Sequence, residues 1–414
     1  MELSDKVPFD CAASEPCVQA ATIRLLNYCQ QRNWAGYDPY DSLNSRLFQK
    51  APFLNSRWPR LIMTQALKRF PINFRPMLLI EPSQNPKGLA LFLQALLKLR
   101  VSGAARDADI YYLAERIVEL RSPGTDFFCW GYSFPWQTRT QLVPRGAPNL
   151  VCTCFTANAL LDLYERQGGN RWLEMAASAA RYISERLFWK IGDRASFRYP
   201  MPNSETPIHN ANFLAAALLA RVQRLTGQKG FLDPAMAAAR FSLARQRPDG
   251  SWFYGEAETQ RWIDNFHTGF NLSALRSLRQ DSGSSEFDAS IESGFRFYRE
   301  HFPGENGRPK YFHDRDYPVD VHCVSQTILT LIENQDLEED SLAEAGRVIR
   351  WALEHFVSSE GCFYHQKTKW VTNKIPYMRW GQAWMLLALS SYLEALSNSR
   401  TEKSSTEEQK VVVA

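Results

Sequence analysis

The sequence lacks long hydrophobic runs, paired cysteine motifs and a strong excess of either charge. No apolar run approaches the roughly 18 residues that a membrane-spanning helix needs, so no membrane span is predicted. The eight cysteines include no CxxC pair, and the two-residue step from Cys152 to Cys154 is not a usual zinc spacing. With 48 Lys and Arg against 44 Asp and Glu, the net charge of +4 argues against a nucleic-acid binder.

The motifs of nucleotide-dependent enzymes and serine hydrolases are also missing. The sequence contains no P-loop, no GxGxxG after a strand and no GxSxG elbow. It opens with Met-Glu-Leu-Ser-Asp-Lys, without the basic and apolar regions of a secretory signal. We therefore expect a cytoplasmic protein with reduced, mostly buried thiols, and we expect neither a metal nor a cofactor.

What the sequence does contain is a weak internal repeat. Five stretches share a polar loop that leads into an apolar helix, at 155–164, 209–219, 267–278, 321–332 and 378–389. They align on amide side chains spaced 54 to 59 residues apart, namely Asn158, Asn212, Asn271, Gln326 and Gln382. A helix at 88–99 supplies an earlier copy. Helices apolar on nearly all sides are typical of buried positions.

A second set of helices alternates with the first and is amphipathic. It lies at 109–120, 171–188, 232–246, 287–302 and 341–356, and the stretch 17–31 supplies a sixth member. Buried helices alternating with half-exposed ones predict an inner and an outer ring. The predicted fold is therefore all-α, an (α/α)6 toroid of helical hairpins with short strand-like loops on one rim. Residues 1–398 are predicted to form this single domain, and residues 399–414 a disordered tail.

The loops before the inner helices converge on the rim where those helices begin, and this rim is the predicted site. The segment 33–45 carries Trp34, Tyr37, Asp38 and Asp41. Its two carboxylates suit sugar hydroxyls or acid and base roles, although Asp-Pro and Asp-Ser are also ordinary turn and cap pairs.

Two later segments combine a carboxylate with an imidazole. Asp264 and His267, next to Trp262, lie three residues apart at the start of an inner helix. Asp264 is either an N-cap or a carboxylate that orients a general base. Asp320 and His322 hold similar places before the next inner helix, with a spacing that matches no metal motif.

The remaining candidates bind substrate rather than react with it. Arg379 beside Trp380 suits a carboxylate-bearing sugar, because guanidinium groups bind carboxylates in a bidentate way. Tyr132, Trp136, Arg139 and His209 are also predicted to bind substrate, and Arg139 is a second candidate for the carboxylate.

The segments NWAGYDPYDSLNS, WGYSFPWQ, RPDGSWFYGE, WIDNFHTGF, YPVDVHCVSQ and RWGQAW resemble those of VpsJ-type bacterial exopolysaccharide biosynthesis proteins, which belong to the six-hairpin glycosidase superfamily. The resemblance covers about residues 30–395 and implies an (α/α)6 toroid with a carbohydrate ligand. It leaves the reaction open, since this scaffold carries glycoside hydrolases, polysaccharide lyases and sugar epimerases.

The leading hypothesis is a carbohydrate-active enzyme, a glycoside hydrolase or polysaccharide lyase acting in a rim cleft on a polysaccharide or oligosaccharide, with uronic-acid glycans among the candidates. Hydrolysis needs two carboxylates, whereas elimination needs a base such as His267 or His322. A non-catalytic glycan-binding or scaffold protein is an alternative. An isoprenoid cyclase-like toroid is another, because residues 246–252 resemble a QxxxGxW motif.

Overall fold

Six helices form a closed inner ring in the computed structural model, which describes residues 14–138, 141–201 and 203–413. Each inner helix packs against the next, and the last packs against the first. They are α4 (Pro86–Leu99), α6 (Leu150–Gln167), α8 (His209–Thr226), α10 (Asn265–Ser282), α12 (Val321–Glu333) and α14 (Ala383–Val413).

Six outer helices surround this ring, each packed against an inner helix. The outer helix before the ring, α1, packs against α14 and completes the sixth hairpin. They are α1 (Glu15–Gln31), α5 (Asp107–Glu119), α7 (Asn170–Tyr182), α9 (Leu232–Leu243), α11 (Asp288–His301) and α13 (Ser341–His355). The predicted alternation of buried and half-exposed helices is confirmed.

Burial explains why the inner helices are apolar on all sides. In α12 every residue from Val321 to Leu331 is buried. Neighbouring inner helices also approach closely, since a Cβ on Gly269 of α10 would lie 2.6 Å from the Gln326 side chain of α12. The inner ring is therefore the core, and its packing fixes where each helix begins.

The strands are short and lie in the loops. β1 (Trp136–Gln137) pairs with β2 (Leu142–Val143), and β3 (Phe188–Ile191) with β4 (Arg194–Phe197), while β5 (Val319–Asp320), β6 (Gln366–Lys367) and β7 (Thr372–Asn373) form one antiparallel sheet. The strand-like loops that the sequence suggests at 250–256 and 310–314 contain isolated bridges, Ile208–Gly255 and Asp264–Phe312, in place of paired strands.

Two parts of the chain lie outside the hairpins. Between α1 and α4 the chain forms a short helix, α2 (Arg46–Gln49), and a longer one, α3 (Arg57–Arg69). At the other end, the backbone of α14 is helical through Val413, beyond the predicted boundary at residue 398. That boundary and the disordered tail stay predictions.

Candidate functional site

Side-chain caps mark the ends of four inner helices at the predicted rim. Asn85 accepts a hydrogen bond from the backbone N–H of Lys87, and Asn149 accepts one from Cys152, both at 3.1 Å. Two carboxylates, Asp264 and Asp320, cap α10 and α12. These caps satisfy backbone donors that the first turn of a helix leaves free, and they bring charged groups to the end of the ring.

Asp264 is both the cap of α10 and the partner of an imidazole. Its Oδ1 accepts the backbone N–H of His267 at 2.9 Å, and its Oδ2 lies 2.7 Å from His267 Nδ1. Trp262 Nε1 donates to the same Oδ2 at 3.0 Å. Within the described chain His267 Nε2 has no hydrogen-bond partner, and the imidazole is 22% exposed. Asp264 therefore caps the helix and also orients the imidazole. The unbonded Nε2 belongs to a ring that is partly exposed to solvent.

Asp320 is fully engaged by neutral donors. Its Oδ1 accepts the backbone N–H of His322 and the indole N–H of Trp380, each at 2.9 Å. Its Oδ2 accepts from Gln366 Nε2 at 3.0 Å. The carboxylate thus ties α12 to β6 and to the helical turn Met378–Gln382, which immediately precedes α14.

His322 is enclosed by aromatic rings. It stacks on Phe266 and Trp384 with centroids 4.7 Å apart in each case, and meets Trp380 edge-on. Neither ring nitrogen has a hydrogen-bond partner, and burial lowers the pKa of His322 well below its usual value. A neutral, buried imidazole does not reach a ligand outside this aromatic cluster.

The two aspartates of the segment 33–45 each hold an arginine. Asp38 forms a bidentate pair with Arg379, with Nε–Oδ2 at 2.6 Å and Nη2–Oδ1 at 2.8 Å. Asp41 accepts from Arg75 Nε at 2.7 Å and from the Asp38 backbone N–H at 2.9 Å. Burial raises the pKa of Asp41 to about 6, although Arg75 opposes the shift. The structure joins these groups into one buried network beside Trp380.

Lys87, which the sequence did not suggest, lies in the first turn of α4 beneath this network. It is 3% exposed, and its Nζ lies 4.0 Å from the centre of the Phe155 ring, near Phe270 and Trp384. Burial lowers the pKa of Lys87 to about 7, with a further contribution from the like charge of Arg379. No carboxylate pairs with it among the described residues.

We expect Lys87 to make folding depend on pH. Between pH 7 and the ordinary lysine pKa only the unfolded chain holds the proton, so the free energy of unfolding should rise with pH across that window. Lys87→Met should stabilise the protein at pH 7 by about 1–3 kcal/mol and remove this slope. Urea unfolding at pH 7 and pH 9 checks this, with Lys229→Met at an exposed lysine as the control. An equal change in the free energy of unfolding with pH in both variants would contradict the prediction.

One tyrosine contacts His267, and two more lie against its neighbours. Tyr254 stacks on Trp262 with centroids 4.6 Å apart and contacts the His267 ring at 4.5 Å. Burial raises the pKa of Tyr254 and Tyr311 well above the usual value, and that of Tyr199 to about 12. These hydroxyls therefore keep their protons and can donate hydrogen bonds.

A narrow crevice lies beside the imidazole, and as it stands it has no room for a molecule the size of water. Asp264, His267, Tyr254 and two amides, Asn210 and Asn271, line it. The Oδ1 atoms of both amides are buried without a hydrogen-bond partner. Unpaired buried acceptors are costly, so the hydroxyl groups of a ligand would satisfy both atoms if the side chains around the crevice moved apart.

The structure brings some predicted residues together and separates others. Ring contacts, hydrogen bonds and the Asp38–Arg379 ion pair join one continuous cluster, in which Arg379 lies over Tyr132 at 5.1 Å. Its members are Asp264, His267, Trp262, Asp320, His322, Trp380, Arg379, Asp38 and Tyr132. Tyr37 borders the Arg75 pair, whose guanidinium lies 6.0 Å from its ring.

Of the other predicted residues, one borders this cluster, two lie away from it and one is not described. Trp34 is buried against Phe92 and lines a narrow pocket with Asp38 and Arg379, whereas Trp136 belongs to β1. Both ring nitrogens of His209 are engaged, Nδ1 by Ser242 at 3.1 Å and Nε2 by Glu256 at 3.2 Å. Arg139 lies outside the described residues. The binding roles of all four stay predictions.

Residues 246–252, which resemble the QxxxGxW motif of isoprenoid cyclases, have a structural role. Gln246 Nε2 donates to the carbonyls of Gly250 and Ser290 at 2.9 Å, and Trp252 Nε1 donates to the Ser242 carbonyl at 3.0 Å. The segment therefore fastens the loop after α9 to α11.

In the described parts of the chain no group of three or more His, Cys, Asp and Glu is placed to hold a metal ion, and no helix is long and apolar enough to cross a membrane.

Sequence reasoning missed Lys87, Arg75, Tyr199, Tyr254 and Tyr311. The only signal for the last three was the aromatic content of the loops, since each lies in or beside a strand-like piece. Lys87 and Arg75 carry no local signal, because their partners lie on other elements.

No protein-family model matches the chain, and no curated protein matches it in sequence. Its structure is similar to those of three carbohydrate-active proteins. The GH76 α-mannanase from Bacteroides thetaiotaomicron matches 78% of this chain and 88% of its own, at 12% identity and a TM-score of 0.59. The unsaturated glucuronyl hydrolase from Streptococcus agalactiae matches 92% of both chains, at 11% identity and a TM-score of 0.57. The cellobiose 2-epimerase from Spirochaeta thermophila matches 76% of this chain and 86% of its own, at 15% identity and a TM-score of 0.55.

The chain has the (α/α)6 toroid fold. At these identities the similarities establish the architecture, and the predicted likeness to six-hairpin glycosidases is confirmed at that level. The narrower likeness to VpsJ-type proteins stays a prediction.

Proposed function

We propose that this protein is a carbohydrate-processing enzyme that transfers a proton to or from a sugar carbon, with His267 as the base and Asp264 as the residue that orients it. The observation that carries the proposal is the 2.7 Å contact between His267 Nδ1 and Asp264 Oδ2, which leaves Nε2 free. A carboxylate on one ring nitrogen fixes the tautomer in which the other nitrogen can accept a proton.

The occupied carboxylates favour proton transfer over hydrolysis. A glycosidase needs one carboxyl group that can donate a proton and a second one beside it. Asp38, Asp41, Asp264 and Asp320 are at most 5% exposed, and each of their oxygens accepts at least one hydrogen bond. None is free to act as a general acid at the described rim.

The surroundings of His267 suit a sugar. Aromatic faces pack on the apolar faces of sugar rings, and the unpartnered Oδ1 atoms of Asn210 and Asn271 can accept hydroxyl hydrogens. The solved structures with this fold include two sugar hydrolases and an epimerase. The resemblance to exopolysaccharide proteins suggests polysaccharide synthesis in the cytoplasm as the setting.

Two reactions begin with this proton transfer. β-Elimination removes the proton next to a uronate carboxyl group and expels the glycosidic oxygen, whereas epimerisation returns the proton to the opposite face. Both require a hydrogen made acidic by a neighbouring carbonyl or carboxyl group. The substrate class is therefore a uronic-acid glycan or a sugar with a free reducing end.

Incubation with panels of such sugars in D₂O tests the proposal. Elimination yields shortened oligomers with the ultraviolet absorbance of a new double bond, and epimerisation yields a stereoisomer carrying one solvent deuterium. Either product supports the proposal. Shortened products with neither signature would indicate hydrolysis, and binding of a glycan without any product would indicate a non-catalytic role; both would overturn it.

A further inference from the structure

The chain exposes one large apolar surface, formed by residues 46–79 and by the hairpin at 366–374. Ten of the fifteen large hydrophobic side chains that are exposed in the described chain lie here: Leu47, Phe53, Trp58, Ile62, Phe70, Ile72, Met77, Leu79, Trp370 and Val371. Phe53, Met77 and Trp370 are each more than 70% exposed. We call this the basic apolar surface.

The exposed large side chains of α3 lie on one face of the helix. Trp58, Ile62 and Arg69 recur at helical spacing and are exposed, whereas Thr64 and Leu67 on the opposite side are buried. The helix therefore packs through a small buried face and presents an apolar and basic face outward. Single exposed apolar residues are common, but a group of them on one part of the surface marks an interaction site.

The segment that forms most of this surface is basic. From Ser42 to Ile80 the sequence contains seven basic residues and no acidic one, although one of the seven, Arg75, is buried in its pair with Asp41. Lys50, Arg57 and Arg69 are exposed and form no ion pair within the described residues. Arg57 also lies 5.2 Å from the centre of the Trp58 ring.

The hairpin continues the same surface. Asn373 Nδ2 donates to the carbonyl of Phe70 at 3.2 Å, which joins the hairpin to the end of α3. Lys369 lies 5.0 Å from the centre of the exposed Trp370 ring, and Lys374 is also exposed. Two separate parts of the chain, about 300 residues apart, thus present the same combination of tryptophan and lysine or arginine.

We propose that the basic apolar surface binds the surface of an anionic lipid bilayer. Tryptophan and phenylalanine partition into the interfacial region, and lysine and arginine interact with anionic headgroups. The aliphatic side chains favour a bilayer over an acidic glycan, because Ile62, Ile72 and Met77 would gain nothing by facing a hydrated polymer. The uniform positive charge opposes pairing with a second copy through the same face.

Co-sedimentation of the full chain with vesicles tests this. Binding is expected to vesicles of equal parts phosphatidylcholine and phosphatidylglycerol, with weak binding to phosphatidylcholine alone and release by salt. Ile62→Ser should lower the partition coefficient about fivefold to tenfold, and Lys369→Gln about fivefold. The controls are Ile191→Ser and Lys190→Gln in the β3–β4 hairpin, where Ile191 is 63% exposed against 66% for Ile62.

Each alternative has its own result. Failure to sediment with anionic vesicles, or equal loss in the control variants, overturns the proposal. Concentration-dependent dimers that Ile62→Ser abolishes would assign the surface to a second copy and also overturn it. His267→Gln should bind vesicles as the unaltered chain does, so that this test and the test of the proposed reaction fail independently.

Discussion

Replacing His267 with glutamine should lower turnover of the sugar substrate by about 10²–10⁴-fold, the usual contribution of a general base. Glutamine retains a polar side chain of similar length but cannot take up a proton at neutral pH. The fold should tolerate the change, because the imidazole is partly exposed and the capping bond to Asp264 uses the backbone N–H of residue 267. The loss should therefore appear in kcat rather than in stability.

The control for this experiment is His355→Gln. His355 lies at the end of α13, is 38% exposed and is bonded through Nδ1 to the Trp351 carbonyl, so its replacement should leave turnover unchanged. Solvent-deuterium exchange at the sugar carbon provides a second measurement. Undiminished exchange in His267→Gln would exclude His267 as the base, whatever the overall rate.

Asp264→Asn separates the two roles of that carboxylate. The amide oxygen preserves the cap of α10, although the amide nitrogen then faces the Trp262 Nε1 donor. Asp264→Ala also loses the cap, so it should lower the free energy of unfolding by about 1 kcal/mol more than Asp264→Asn. The charge that orients and stabilises the protonated imidazole is lost in both variants. Kinetic loss in both, with the larger stability loss in Asp264→Ala, is the expected pattern.

The inner ring could be predicted because its signal repeats along the chain. The amide-bearing stretches around Asn158, Asn212 and Asn271 recur at nearly even steps, and each belongs to a largely buried helix. By contrast, α3 has no partner in the repeat, and its apolar side chains face outward. A pattern argument that assumes apolar residues face the core cannot place such a helix.

The residues of the candidate site also fall into those that the sequence could predict and those that it could not. Asp264 and His267 were found because a spacing of three residues at a helix start brings both groups together. Asp38 and Arg379 lie 341 positions apart, and only closure of the ring through α14 and α4 makes them neighbours. Lys87 was missed for the same reason, since the rings of Phe155, Phe270 and Trp384 that enclose it come from three other helices.

The Asp38–Arg379 pair leads to the second large effect. Arg379→Met should lower the free energy of unfolding by about 3–5 kcal/mol, because it leaves Asp38 charged and buried without its partner. Urea unfolding measures this. The matched control is Arg240→Met, since Arg240 forms a bidentate pair with Glu286 at 2.8 Å and 3.0 Å but is 60% exposed. Exposed pairs contribute about 0–1 kcal/mol, so the two variants differ by burial rather than by bonding.

The double variant Asp38→Asn with Arg379→Met distinguishes a structural pair from a substrate-binding one. If Arg379 serves mainly to neutralise Asp38, removing the charge of both should recover most of the lost stability, since no unpaired ion remains buried. Turnover should then recover with stability. A double variant that is stable but binds no acidic sugar would instead return Arg379 to the role that the sequence predicts for it, as the group that recognises a substrate carboxylate.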